Sequence, residues 1–105
     1  MITQILTDAG VEFRRSRFPQ PPAGTYAVYT DDVSADGADY VNCIRTHNIT
    51  VELYELVPDD DAEAAIESVI DARGIHWDKH DRYWLQDVQR YQVVYEFTYT
   101  EKRRI

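Results

Sequence analysis

Regular alternation of apolar and polar residues near the C-terminal end constrains the fold of this chain most. From Tyr91 to Tyr99 every odd-numbered position carries an apolar or aromatic side chain, and the positions between them are mostly polar. Because successive side chains of a strand point to opposite faces, this pattern predicts a strand with one buried face. Such a strand needs neighbouring strands and a layer that covers its apolar side.

Apolar spacing at the N-terminus predicts a short helix over residues 1–9. Ile2, Ile5, Leu6 and Ala9 recur at helical intervals, so they would share one face. Gly10 follows directly, and glycine readily adopts the left-handed conformation that ends many helices. The sequence therefore predicts that this helix ends at Gly10.

A second, acidic helix is predicted over Asp61–Arg73. Asp60 and Glu63 have the spacing of a capping box, with aspartate in place of the usual Ser or Thr. Gly74 is expected to end the helix. Its apolar stripe consists of Ala62, Ala65, Ile66, Val69 and Ile70.

Three further stretches complete the expected elements. Short strands are predicted at residues 11–13 and at Tyr26–Tyr29, whereas the aspartate-rich stretch Asp31–Asp39 is predicted to be an exposed, mobile loop. The alternating stretch Tyr40–Leu56 predicts a long strand that either starts beyond the edge of the core or bends at a bulge near Thr46. The predicted fold is a single α+β domain spanning residues 1–105. It has a mainly antiparallel β-sheet, an N-terminal helix and a second helix packed on the sheet.

The charge distribution is uneven and suggests how copies could associate. The net charge is -8, which argues against binding in a nucleic-acid groove. Twelve carboxylates but only one Lys or Arg lie between Asp31 and Asp71, and basic residues cluster towards both ends. A bipolar surface of this kind can drive head-to-tail self-assembly, although solvated faces explain the same pattern. The candidate interface residues are Arg14, Arg15, Arg17, Asp31, Asp32, Asp36, Asp39, Lys102, Arg103 and Arg104.

No motif for catalysis, a cofactor or a phosphate group is found in the sequence. His76, Asp78 and His80 alternate and could point to one side, as metal ligands do, but an exposed strand edge accounts for them equally well. We therefore expect no enzyme activity, no metal and no cofactor. No apolar run approaches the roughly 20 residues that cross a bilayer, so no membrane partner is expected.

The order of these features resembles a family of small head–tail joining proteins of long-tailed phages and prophages. The resemblance covers nearly the whole chain and rests on four segments. They are RFPQPPAGTYAVY (Arg17–Tyr29), HNITVELY (His47–Tyr54), GIHWDK (Gly74–Lys79) and YQVVYEF (Tyr91–Phe97). These motifs are structural rather than catalytic.

The resemblance implies a tail terminator, also called a tail-completion protein. Such proteins form a ring, typically sixfold, that caps the tail tube and docks to the head connector. The implied partners are further copies of the chain, the major tail tube protein and the head–tail connector protein, with DNA passing through the lumen without specific binding. The protein would assemble in the host cytoplasm and end up in the virion.

Two other functions remain open at this point. The first is a different role in the virion neck, as a head-completion or minor capsid protein. The second is a soluble acidic module that binds another protein and has no part in virions. The sequence does not distinguish these alternatives from the terminator.

Overall fold

Six strands and two helices make up the molecule in the computed structural model, which describes residues 1–36 and 42–104. In chain order the elements are α1 (Ile2–Ala9), β1 (Glu12–Arg15), β2 (Tyr26–Asp36), β3 (Asn42–Glu55), α2 (Asp60–Ala72), β4 (Trp77–Lys79), β5 (Tyr83–Leu85) and β6 (Arg90–Arg104). The predicted α+β class, with its N-terminal helix and second helix, is confirmed.

The strands form one sheet in the order β1-β2-β3-β6-β4, and β5 pairs with β6 further along the same edge as β4. Among the strand pairs of the described residues, only β1–β2 is parallel. The central strand β3 pairs with β6 over its full length and with β2 over all of Tyr26–Asp36. Three long strands therefore form the frame of the sheet, and the short strands flank it at one end.

The helices cover the face of the sheet that the odd-numbered residues form. Ile5 and Leu6 of α1 and Ile66 and Ile70 of α2 are fully buried against this face. Gly10 ends α1 in the left-handed conformation, with φ 74°, as the sequence predicts. The three long strands contribute Ala27, Tyr29, Ile49, Val51, Leu53, Val93, Tyr95, Phe97 and Tyr99 to the core.

The prediction of an exposed loop at Asp31–Asp39 is wrong for its first six residues. Residues 31–36 continue β2 and pair one-to-one with β3, from Asp31 opposite Ile49 to Asp36 opposite Ile44. Aspartate is a poor strand former, but the regular ladder and a contact between Asp31 and His47 outweigh that preference. Residues 37–39 lie outside the described residues.

The second helix begins one residue earlier than predicted. Asp59, not Asp60, is the N-cap, and its Oδ1 accepts a hydrogen bond from the backbone N–H of Ala62 at 3.1 Å. Glu63 therefore takes no part in a capping box. In β3 the pairing is continuous through Thr46, so the long strand extends past the core without a bulge. No helix among the described residues is long and apolar enough to cross a bilayer.

A buried ionic cluster fixes the β4–β5 region to α2 and to the end of β3. Arg82 donates to Glu55 through Nε at 3.3 Å and to Glu63 through Nη2 at 2.5 Å. Lys79 Nζ lies 2.8 Å from the other oxygen of Glu63. Both carboxyl groups are almost completely buried, so the ionised form of either depends on these cations.

The two carboxyl groups of this cluster respond oppositely to their surroundings. Burial, together with a hydrogen bond to Glu63, raises the pKa of Glu55 to about 7. Burial would also raise the pKa of Glu63, but hydrogen bonds with Glu55, Lys79 and Arg82 lower it. When the two carboxyl groups share one proton, that proton is therefore on Glu55 and Glu63 is ionised.

Replacing Ile66 by Asp should unfold the protein. Ile66 is fully buried between α2 and the sheet, and a carboxylate there has no partner, so we expect a loss of more than about 3 kcal/mol in the free energy of unfolding. Urea unfolding followed by circular dichroism measures it. Ala64→Asp, at an exposed position of the same helix, is the matched control. Equal stability of the two variants would contradict the packing of α2.

Candidate interaction site

The most distinctive part of the molecule is a three-stranded arm that extends beyond the helices. We define it as Val33–Asp36 of β2, Asn42–Thr46 of β3 and Thr100–Arg104 of β6. The molecule measures 49 × 28 × 22 Å, and its radius of gyration is 15.2 Å, against about 13 Å for a compact domain of this length. Fourteen residues of strand span about 48 Å, so β3 alone accounts for the long axis.

His47 joins the three strands at the base of the arm. Its Nδ1 lies 2.9 Å from Oδ2 of Asp31 on β2, and its Nε2 lies 2.9 Å from Oε1 of Glu101 on β6. The ring also stacks on Tyr99, with 4.6 Å between centroids and 12° between planes. A protonated imidazole donates through both nitrogens, so this arrangement fits the charged form of His47.

The contacts of His47 raise its pKa. Burial alone would lower the pKa of His47, but the hydrogen bonds to Asp31 and Glu101 outweigh that effect and raise it. The side chain is mostly buried, and two carboxylates compensate one imidazolium. The base of the arm is therefore held by charge-assisted contacts in place of the apolar packing that continues along the rest of this face.

The outer edges of the arm pair with no other strand among the described residues. On one side, β1 covers β2 only as far as Tyr29. On the other side, β4 and β5 cover β6 only as far as Phe97. The arm also exposes apolar side chains, since Val33 and Ile44 are 43% and 49% accessible. An edge of this kind is open to main-chain pairing with another chain.

The even-numbered face of the sheet, opposite the helices, is polar along its middle. Three consecutive cross-strand rows contain only hydroxyl, amide and carboxylate side chains, and Thr98 donates to Asn48 at 3.1 Å. No Lys or Arg occurs in these rows. They are Thr30–Thr50–Glu96, Asp32–Asn48–Thr98 and Ser34–Thr46–Thr100.

The structure places the candidate interface residues in two groups. Arg14 and Arg15 lie on the edge strand β1 and Arg17 follows it; all three are exposed, and the Arg14 guanidinium lies 5.2 Å from the centre of the Phe18 ring. The second group lies along the outer strands of the arm and at its base. It comprises Asp31, Asp32 and Asp36 on β2 and Lys102, Arg103 and Arg104 on β6, whereas Asp39 lies outside the described residues.

The three possible metal ligands, His76, Asp78 and His80, do not converge on one point. His76 and Asp78 are both largely exposed and 3.6 Å apart, while His80 instead contacts Glu96 of β6 at 2.9 Å. Within residues 1–36 and 42–104 no group of three or more His, Cys, Asp or Glu side chains could hold a metal ion.

Several chains of solved structures have a similar fold. A chain in the virion of a native gene transfer agent particle superposes with a TM-score of 0.57. The match covers 90% of this chain and 81% of that chain, at 18% sequence identity. No protein-family model matches the sequence, and no curated protein is significantly similar to it. At this level of identity the likeness establishes the fold.

Sequence reasoning missed the role of His47 and of the edges of the arm. The pattern of residues assigned no function to His47, although Asp31, His47 and Glu101 all occupy odd-numbered positions, as the core residues of these strands do. Polar residues at odd-numbered positions of three paired strands lie on the same face of the sheet. Whether they are close enough to form one polar site depends on the register of the strands. The register follows from the structure.

The contribution of His47 to stability should fall as pH rises. Because its pKa is raised in the folded state, the stabilisation is fully present below the unfolded value near 6.5 and is lost as pH rises through the folded value. Urea unfolding between about pH 5 and about pH 8 measures it. Glu55, with its pKa raised to about 7, also titrates in this range. The relevant quantity is therefore the difference from the variant His47→Gln, and a difference independent of pH would contradict the prediction.

Proposed function

We propose that this protein is a virion structural protein of the head–tail joining region, specifically a tail terminator. In this role copies form a ring, sixfold as in the family that the sequence resembles, which caps the tail tube and docks to the head connector. The observation that carries the proposal is the similarity of nine-tenths of the chain to a chain from a gene transfer agent virion. The four segments of the sequence that resemble head–tail joining proteins support the same assignment.

The shape of the molecule suits a ring around DNA. An elongated subunit with a projecting arm has opposite edges that can contact the two neighbours in a ring. The polar rows of the sheet carry carboxylates and no cations, so a lumen lined by them would repel phosphate groups. DNA could pass such a surface without adhering to it.

Deleting the gene in the strain that produces the particles tests the proposed role. Loss of a terminator should give abnormally long tails, because nothing then stops growth of the tube, and negative-stain electron microscopy measures tail length directly. Complementation with the intact gene is the control. Empty or tailless heads would instead identify a head-completion role in the neck. Particles of normal form and number would exclude both roles and favour the soluble binding module.

The basic edge at β1 is our candidate for docking to the tail tube or the connector. Arg14, Arg15 and Arg17 are exposed on or beside an edge strand of the sheet, away from the arm. Replacing all three by Glu should weaken binding to purified tail tubes and leave the fold intact, since exposed charges contribute at most about 1 kcal/mol each to stability. Co-sedimentation with tubes measures binding, and melting temperature measures folding.

The matched control for this triple variant replaces the same three residues by Lys. It keeps the positive charge, so it should bind tubes as the parent does, with the same weakening at high salt. If the Glu variant also binds and caps tubes like the parent, the three arginines are solvated surface residues and the docking proposal is wrong.

A further inference from the structure

The backbone of β6 presents hydrogen-bonding groups outward along the arm. The carbonyl oxygen of Val94 accepts from the N–H of His80, on the side of β6 that faces away from β3. In a strand the N–H and C=O of one residue point to the same side, and the side alternates with each residue. The even-numbered residues Thr98, Thr100 and Lys102 therefore direct both groups outward.

The outer side of β2 has the same property. The carbonyl oxygen of Tyr29 accepts from the N–H of Ser16, which lies on the side of β2 away from β3. By the same alternation Asp31, Val33 and Ala35 direct their N–H and C=O groups outward. The arm thus carries two regular rows of outward-directed main-chain groups, one along each edge.

Such edges need an explanation, because soluble proteins usually protect them. Proline, bulges and very short strands are the common devices, and neither edge of the arm uses one. Residues 30–36 and 98–104 contain no proline, and both strands pair with β3 without a bulge. Charged side chains are the remaining means of preventing unwanted strand pairing, and the sign of the charge differs between the two edges. Residues 30–36 carry three aspartates and no cation, whereas residues 98–104 carry Glu101 and three cations.

We infer that the β2 edge of one copy pairs with the β6 edge of a second copy, so that the arms of neighbouring subunits form one continuous sheet. The occupant of each edge is therefore another molecule of this chain. The complementary charges favour this pairing over the alternatives. Pairing β2 with β2 would bring six aspartates together, and pairing β6 with β6 would bring six cations together. The inference rests on the ring proposed above and identifies its subunit contact.

The strand directions allow this contact to repeat and close. Strands β2 and β6 are both antiparallel to β3, so they run parallel to each other. A neighbour related by rotation about an axis along the strands then places its β2 parallel to this β6, which is a heterologous contact that closes into a ring. Six arms would give a barrel of about 18 strands, the size at which barrels enclose an aqueous channel. The helices would lie outside and the even-numbered face of the arm inside, with the row Ser34–Thr46–Thr100 and also Lys102 on the lumen side.

Proline substitutions at outward-facing residues test the pairing. Val33→Pro and Thr100→Pro each remove one outward N–H and place a ring at the edge, and proline is tolerated where the N–H of an edge strand faces solvent. Neither removes a hydrogen bond to β3, so the melting temperature should change little. Val33→Thr and Thr100→Val keep the N–H and serve as controls. Sedimentation velocity of the purified proteins, over a range of concentrations, measures association.

We expect the parent and both controls to form oligomers and each proline variant to remain a monomer at the same concentrations. An equimolar mixture of the two proline variants is the decisive sample. It retains one intact β6 edge and one intact β2 edge, so it should form a heterodimer and nothing larger. Dimerisation of Val33→Pro by itself would indicate pairing of β6 with β6 and would overturn the inference.

Other outcomes also overturn the inference. Proline variants that assemble like the parent would place the contact on another surface, and a parent that stays monomeric to its solubility limit would exclude edge pairing. These results concern purified protein and leave the virion role to the deletion experiment. Conversely, normal particles after gene deletion, together with heterodimers in the mixture, would reject the proposed function but retain the edge pairing.

Discussion

The whole structure depends on the central strand β3 being paired on both sides without interruption. Fourteen residues of β3 pair with β6, and eleven of them also pair with β2. Since side chains alternate between the two faces, shifting either neighbour by one residue would exchange its buried and exposed side chains. Beneath the helices, the apolar side chains at odd-numbered positions of all three strands determine the pairing register. The arm continues the same strand pairs, so its register is determined by that packed region.

The sequence was sufficient to predict the fold class because its strongest patterns are local. The alternation at Tyr91–Tyr99 and the apolar stripe of α2 each reflect burial on one face, which is visible without knowing any neighbour. The stretch after Tyr29 shows the limit of that reasoning. Asp31 and Asp32 have low strand propensity, and only the long partner strand and the imidazole of His47 make β2 continue through them.

The candidate site was only partly predictable from the sequence for a related reason. The charged residues near the two ends of the chain are evident from the sequence. Which of them lie on the same edge of the sheet depends on the order of the strands. Lys102 and Asp36 lie on opposite sides of the same β3 residue, Ile44, although 66 positions separate them in the chain. Likewise, which backbone groups face outward follows from two hydrogen bonds of the flanking strands, not from any side chain.

The ionic cluster around Arg82 also limits how this protein can diverge. Glu55 and Glu63 come from different elements, and their buried charges depend on Arg82 and Lys79. Losing Arg82 leaves Glu55 without its cation, and losing Lys79 leaves Glu63 with Arg82 alone, whereas replacing the whole set by apolar residues of similar volume can be neutral or favourable. Descendants of this sequence should therefore keep these residues together or lose them together, so the cluster would appear among relatives as a correlated set because of its part in folding.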